Sequence, residues 1–146
     1  MYHVKKGGVD IFLTKECDYG IRMIRSLAKG EKKTVQGIVE TEKIPLQYAY
    51  KILKKLEKGG FVSSIRGRDG GYVLKKALSS YSLYDVATSI ENNLFVFECL
   101  HKKDACIFRE AEQPCRIHCE FERIQKVLID ELTSKSMAEV LLKKEA

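Results

Sequence analysis

Four of the five cysteines, Cys99, Cys106, Cys115 and Cys119, fall within 21 residues, and His101 and His118 lie among them. Clustered thiols and imidazoles, in a chain whose first dozen residues lack an apolar signal core, point to metal or redox chemistry before structural disulfides. The neighbours are polar, as in His101-Lys102-Lys103-Asp104 and Arg109-Glu110, which argues against cysteines serving as small buried hydrophobes. The gaps between them hold six, eight and three residues, so no C-x2-C pair is present. Zinc sites favour two tight pairs, whereas a loop of widely spaced thiolates suits an iron–sulfur cluster. Cys119 lies four residues beyond Cys115, on one face if the segment is helical, and is a further thiolate donor. Cys17 stands far off in a predicted helix and reads as a packed thiol.

A second set of residues has the chemistry of duplex DNA recognition. In the run Val62-Ser63-Ser64-Ile65-Arg66-Gly67-Arg68-Asp69-Gly70-Gly71-Tyr72-Val73-Leu74, two short strands flank a turn. Asp69-Gly70-Gly71 is expected to supply the positive φ at the reversal. Ser64, Arg66, Gly67, Arg68 and Gly70 then form a protruding wing, and its planar guanidinium groups suit phosphates or a narrow minor groove. Before the wing lie two helical patterns. Thr34 caps the first, where Val35, Ile38 and Val39 share a face. Pro45 suits the first turn of the second, and Gly59-Gly60 ends it. Ala49, Ile52, Leu53 and Leu56 form an inward stripe there, and Gln47, Tyr48, Tyr50, Lys51, Lys54, Lys55 and Lys58 occupy the other face. In a recognition helix the N-terminal turns read bases and later residues hold phosphates. That gives Gln47, Tyr48, Tyr50 and Lys51 to bases, and Lys54, Lys55 and Lys58 to the backbone.

Charge is divided to match. The net charge is +6, but residues 1–85 carry 17 Lys/Arg against 9 Asp/Glu, and residues 86–146 carry 9 against 11. A basic body joined to a mildly acidic segment suits a duplex binder with a separate sensing or pairing part. At 146 residues the chain can build one compact domain and an extension. No apolar run approaches the ~20 residues that span a bilayer, so the expectation is a cytoplasmic protein without membrane partners.

The elements that must position these residues are helices over 15–28, 35–42, 45–58, 83–91, 115–133 and 137–144, with a hairpin over 61–75. Residues 92–114 are expected to be irregular and 1–12 a loosely held tail. Ser82 with Asp85, and Ser136 with Glu139, have the spacing of capping boxes. Ile21, Ile24, Leu27 and Ala28 form a core stripe in the first helix. On the long helix, Phe121, Ile124, Val127, Leu128 and Leu132 form a stripe suited to a dimer seam. Phe95 and Phe97 are expected to pack over the cysteine loop. No Ser/His/Asp set, phosphate-binding loop or apolar carboxylate pair appears, so an enzyme is not expected. The fold class is mainly α with a small β-hairpin wing: a winged helix-turn-helix followed by a long C-terminal dimerisation helix.

Several of these runs together resemble the Rrf-two (Rrf2) family of winged-helix transcriptional regulators. They are Leu13-Thr14-Lys15, Tyr19-Gly20-Ile21-Arg22 and Leu27-Ala28; Ile44-Pro45, Tyr48 and Lys51-Ile52-Leu53; Ser64-Ile65-Arg66-Gly67 and Gly70-Gly71-Tyr72-Val73-Leu74; and the three-cysteine loop. The resemblance covers nearly all of the chain after the tail. It implies a tail at 1–12, a DNA-binding domain at 13–91, a cysteine-rich cluster loop at 92–118 and dimerisation and C-terminal helices at 119–146. It further implies a homodimer whose crossed long helices present two winged units to a pseudo-palindromic operator in double-stranded DNA.

In the cluster-binding members, of the IscR and NsrR types, three loop cysteines and one further ligand hold a 2Fe–2S or 4Fe–4S cluster. Cys99, Cys106 and Cys115 match the three by order, at wider spacing than is usual. His118, three residues after the last loop cysteine, stands where one type has its histidine. Asp18 stands in the first helix where the other type uses an acidic ligand supplied across the dimer, and Cys119 completes the candidates. The implied function is DNA regulation responsive to redox state, nitric oxide or cluster status. The alternatives are a zinc-bound or thiol-switch winged-helix regulator, and an iron–sulfur carrier that binds no nucleic acid.

Overall fold

The computed structural model describes residues 13–92, 94–101 and 115–143. Seven helices and one hairpin follow in the order α1 (Lys15–Ser26), α2 (Val35–Glu42), α3 (Leu46–Lys58), β1 (Val62–Ile65), β2 (Gly71–Leu74), α4 (Leu83–Ile90), α5 (Glu98–His101), α6 (Arg116–Thr133) and α7 (Met137–Leu142). A short 3-10 turn, Leu78–Ser80, links the hairpin to α4. The tail at 1–12 and most of the cysteine loop, including Cys106, lie outside the described residues.

Local chemistry sets most boundaries. Thr14 and Thr34 accept the backbone N–H of Cys17 and Gly37, capping α1 and α2. Gly60, at φ 78°, ends α3 with Phe61 N–H donating to Leu56 O and Gly60 N–H to Glu57 O. This pair of bonds satisfies carbonyls the helix leaves open and turns Phe61 into the core. Both expected capping boxes form, Ser82 with Asp85 and Ser136 with Glu139.

The differences from expectation are local. Pro45 is the extended N-cap of α3 and not its first helical residue; its ψ of 130° places it outside the helix. α1 stops at Ser26, because Leu27 is the cap and Gly30 takes a positive φ four residues on. At the wing the positive φ belongs to Gly67, at 115°, and not to Gly70 or Gly71. Those two are required for close approach: a Cβ on Gly70 would lie 2.5 Å from Ile65 O, and one on Gly71 2.6 Å from Lys33 O. The stretch expected to be irregular contains the one-turn helix α5. α4 and α7 end at Ile90 and Leu142.

The hairpin is antiparallel, with Val62 opposite Leu74 and Ser64 opposite Tyr72. Lys33 adds a third short edge, exchanging backbone hydrogen bonds with Tyr72 at 3.0 and 2.8 Å. The core lies where α1 meets α2, α3 and α4: Cys17, Met23, Ile24, Leu27, Ile38, Ile52, Leu53, Leu56 and Val86 are fully buried. Cys17 is therefore the packed thiol expected, donating to Ala87 O at 3.8 Å, and burial pushes its titration up. Helix α7 folds back onto this body. Met137 N–H donates to Tyr81 O at 2.8 Å, and the Met137 side chain is fully buried.

Gly20 lets α1 and α4 close, since a Cβ there would lie 2.0 Å from Ile90 Cδ1. Gly20→Ala should therefore lower stability by about 1–3 kcal/mol in urea unfolding. Glu139 is held down to about 2 by the Ser136 backbone N–H, then by Lys143. Its contribution to α7 is thus complete above its ordinary value of 4.5 and fades as pH falls toward 2. Glu139→Gln should remove that part of the acid-unfolding profile measured by circular dichroism.

Candidate nucleic-acid interface and metal-ligating pair

α3 buries the expected stripe completely: Ala49, Ile52, Leu53 and Leu56 are all at 0% exposure. Its opposite face is thereby turned outward beside the wing. Gln47, Tyr50, Lys54 and Lys58 are exposed there, as are Arg66, Gly67 and Arg68. Among the described residues none of Lys54, Lys58, Arg66 and Arg68 makes a hydrogen bond or ion pair. Four cations thus stand ready for an external anion.

Other residues expected to face DNA are engaged within the chain. Lys51 Nζ lies 2.8 Å from Glu16 Oε1, and Lys55 Nζ lies 3.0 Å from Glu16 Oε2. Lys55 also donates to Ile90 O at 2.8 Å, so it ties α3 to α1 and α4 and serves as a fold clamp. Chiefly through the Lys51 hydrogen bond, Glu16 is held below the usual carboxylate range. Tyr48 is half-buried, its ring 5.6 Å from that of Tyr19, and the Arg22 guanidinium covers the Tyr19 ring at 4.9 Å. Ser64 donates its hydroxyl and its backbone N–H to Glu57 Oε1, at 2.6 and 3.1 Å, fastening the wing to α3. The Thr34 hydroxyl is spent on the α2 cap, where it is nonetheless exposed. Lys32 donates to Asp69 O in the turn of the wing. Glu16, Glu57 and Lys32 were not singled out from sequence. Glu16 and Lys32 meet partners 35 to 39 residues away, so no local spacing announces them.

At the other end, α6 carries Cys115 as its N-cap, with Cys119 N–H donating to Cys115 O at 3.0 Å. His118 Nδ1 lies 3.4 Å from Cys99 Sγ on α5, and His118 Nε2 lies 3.3 Å from Glu122 Oε1. The structure thus brings together one loop cysteine and the histidine, and leaves Cys119 exposed. Asp18 is paired with Arg22 at 2.8 Å. No group of three or more His, Cys, Asp or Glu side chains among the described residues is arranged to hold a metal ion. The donors that do meet, a cysteine sulfur and an imidazole nitrogen, are of the kind that binds iron in clusters.

Gln125 fastens to α6 the segment that leads to Cys99. This residue is buried on α6; its Nε2 donates to Leu94 O at 2.7 Å, and its Oε1 accepts from Val96 N–H at 2.8 Å. One turn away Phe97 stacks on Phe121, with centroids 4.4 Å apart and planes within 3°. Phe97 thus packs on α6; the cysteine loop it was expected to cover lies mostly outside the described residues. The segment leading to Cys99 is in this way fixed along the long helix.

The family model for Rrf2, described as an iron-dependent transcriptional regulator, matches residues 13–143. The chain belongs to the Rrf2 family. It is 30% identical over 136 residues to an Rrf2-like HTH-type transcriptional regulator of Rhodobacter capsulatus, covering 86% of this chain and 91% of that one. It is 29% identical over 109 residues to the HTH-type transcriptional regulator NsrR of Shouchella clausii, covering 72% of this chain and 71% of NsrR. Among solved structures, CymR, the global cysteine regulator of B. subtilis, superposes with a TM-score of 0.72 at 23% identity, over 94% of this chain and all of that one. The fold is accordingly the winged helix of the Rrf2 regulators, and the protein is a DNA-binding transcriptional regulator, not an enzyme. No helix among the described residues is long and apolar enough to cross a membrane.

Gln125→Ala should leave Leu94 O and Val96 N–H unpaired, at a cost of roughly 1–3 kcal/mol. Faster hydrogen exchange at the Val96 amide, with the α1–α3 amides unchanged, is the expected reading.

Proposed function

We propose that this regulator binds a pseudo-palindromic DNA operator as a homodimer and that an iron–sulfur cluster sets its affinity. Cys99, Cys106 and Cys115 hold the cluster, with His118 as fourth donor. The observation that carries this reading is the 3.4 Å approach of His118 Nδ1 to Cys99 Sγ, in a family described as iron-dependent. It favours His118 over Asp18, which is occupied by Arg22, and over the outward-facing Cys119. When bound, the cluster supplies a centre that responds to oxidants and nitric oxide. Cys99 and His118 would hold that centre, and Gln125 joins α6, which bears His118, to the segment that follows α4.

Homodimer formation is supported by α6 itself. Ile117 and Val127 are 64% and 49% exposed, and Gln125 is the one buried residue of this 18-residue helix. Phe121, Ile124, Leu128 and Leu132 lie half-buried along it, an apolar stripe that a second copy would cover. On DNA, Gln47, Tyr50 and, on release from Glu16, Lys51 read bases from α3. Lys54, Lys58, Arg66 and Arg68 hold phosphates or enter the minor groove. Such a regulator works in the cytoplasm, beside the chromosome.

Anaerobic purification should give a coloured protein with iron and acid-labile sulfide; a colourless protein lacking both rejects the cluster. A second reading, a zinc-bound or thiol-switch regulator, is favoured by the exposed Cys119 and by the fold shared with a cysteine regulator. Zinc without sulfide, or a disulfide that changes DNA affinity, would establish it. On DNA, Lys54→Ala should weaken binding evenly across sequences and reduce the salt slope by about one unit. An unchanged slope removes Lys54 from the interface. Lys55→Ala should act mainly by lowering stability.

A further inference from the structure

We infer that Glu122 is a positioning residue for His118, dictating which imidazole nitrogen is offered beside Cys99. The inference rests on the reading that His118 is a cluster donor. His118 and Glu122 are one turn apart on α6, so a single helix delivers both groups in fixed register. The ring is held between two neighbours: Nδ1 faces Cys99 Sγ at 3.4 Å, and Nε2 faces Glu122 Oε1 at 3.3 Å.

A neutral imidazole carries its proton on one nitrogen and a lone pair on the other. An ionised carboxylate can only accept, so it stabilises the tautomer protonated at Nε2. That choice leaves the Nδ1 lone pair directed toward the sulfur, the arrangement a metal-binding histidine requires. A carboxylate behind a ligating histidine also raises its donor strength, and removing such a partner typically costs about 10–100-fold in metal affinity. Glu122 is 62% exposed, which weakens its Coulomb attraction for the ring, so its effect rests on the 3.3 Å proximity that the helix register enforces.

The neighbouring side chains separate this role from general charge. Glu120, two residues earlier on the same helix, gives its carboxylate to Arg123 at 2.7 Å. Phe121, between them, stacks on Phe97 and fixes the distance from α6 to the segment bearing Cys99. Of the two acidic residues flanking Phe121, Glu122 alone is placed against the imidazole.

The test compares wild type, Glu122→Ala, Glu122→Gln and Glu120→Gln. In the cluster-free protein, two-bond nitrogen–proton NMR of labelled histidine should show His118 protonated at Nε2 in wild type and in Glu122→Gln, whose amide oxygen still accepts. Glu122→Ala should give a mixture of tautomers. In the loaded protein, cluster loss to a chelator, followed by visible absorption, should be about 10-fold faster in Glu122→Ala. Glu122→Gln should fall between, with Glu120→Gln at the wild-type rate. A loaded wild type whose Glu122→Ala variant keeps both the tautomer and the release rate overturns the role of Glu122. A wild type that takes up no cluster overturns the underlying reading instead, and this role with it.

Discussion

The arrangement of the whole molecule depends on the complete burial of one face of α3. Ala49, Ile52, Leu53 and Leu56 leave no freedom in the rotation of that helix, because turning it by one residue would expose Leu53 or force a lysine inside. Once the rotation is set, the outward row of Gln47, Tyr50, Lys54 and Lys58 is set too. The hairpin follows at once, since Gly60 reverses the chain and Phe61 anchors it in the same core. Recognition surface and hydrophobic core are two sides of one packing solution.

Polar contacts then refine what packing leaves open. Glu16 takes two lysines of α3, and Glu57 takes Ser64 of the wing. The surface proposed to face DNA is consequently not a uniform field of free cations. Part of its charge is already balanced from α1, so helix α1 and the recognition helix are electrostatically coupled without any ligand. At the far end Gln125 plays an analogous part with neutral groups, using its amide as a short substitute for a strand partner.

Helix existence, both capping boxes, the inward stripe of α3 and the burial of Cys17 were legible in the sequence because each is governed by spacing within about four residues. The wing glycines show where such reading falters. Composition correctly demanded glycine there, but only the path of Lys33 alongside Tyr72 decides that Gly71 is needed for room and Gly67 for its dihedral angle. The internal bonds of Lys55 were illegible for a related reason: its partners, Glu16 and Ile90 O, come from distant segments. Of the candidate metal-ligating residues, the cysteines cluster in the sequence itself, whereas the approach of His118 to Cys99 follows from how α6 packs and no spacing announces it.

The return of α7 gives the molecule a property its DNA-facing residues do not reveal. Met137 fills a slot beside Tyr81, whose hydroxyl is buried without a partner and whose titration burial pushes up to about 12. The extended helix is therefore moored twice, through the Gln125 amide to the segment after α4 and through Met137, just past its end, to the winged body. A beam held at two points transmits torsion where one held at a single point would swivel.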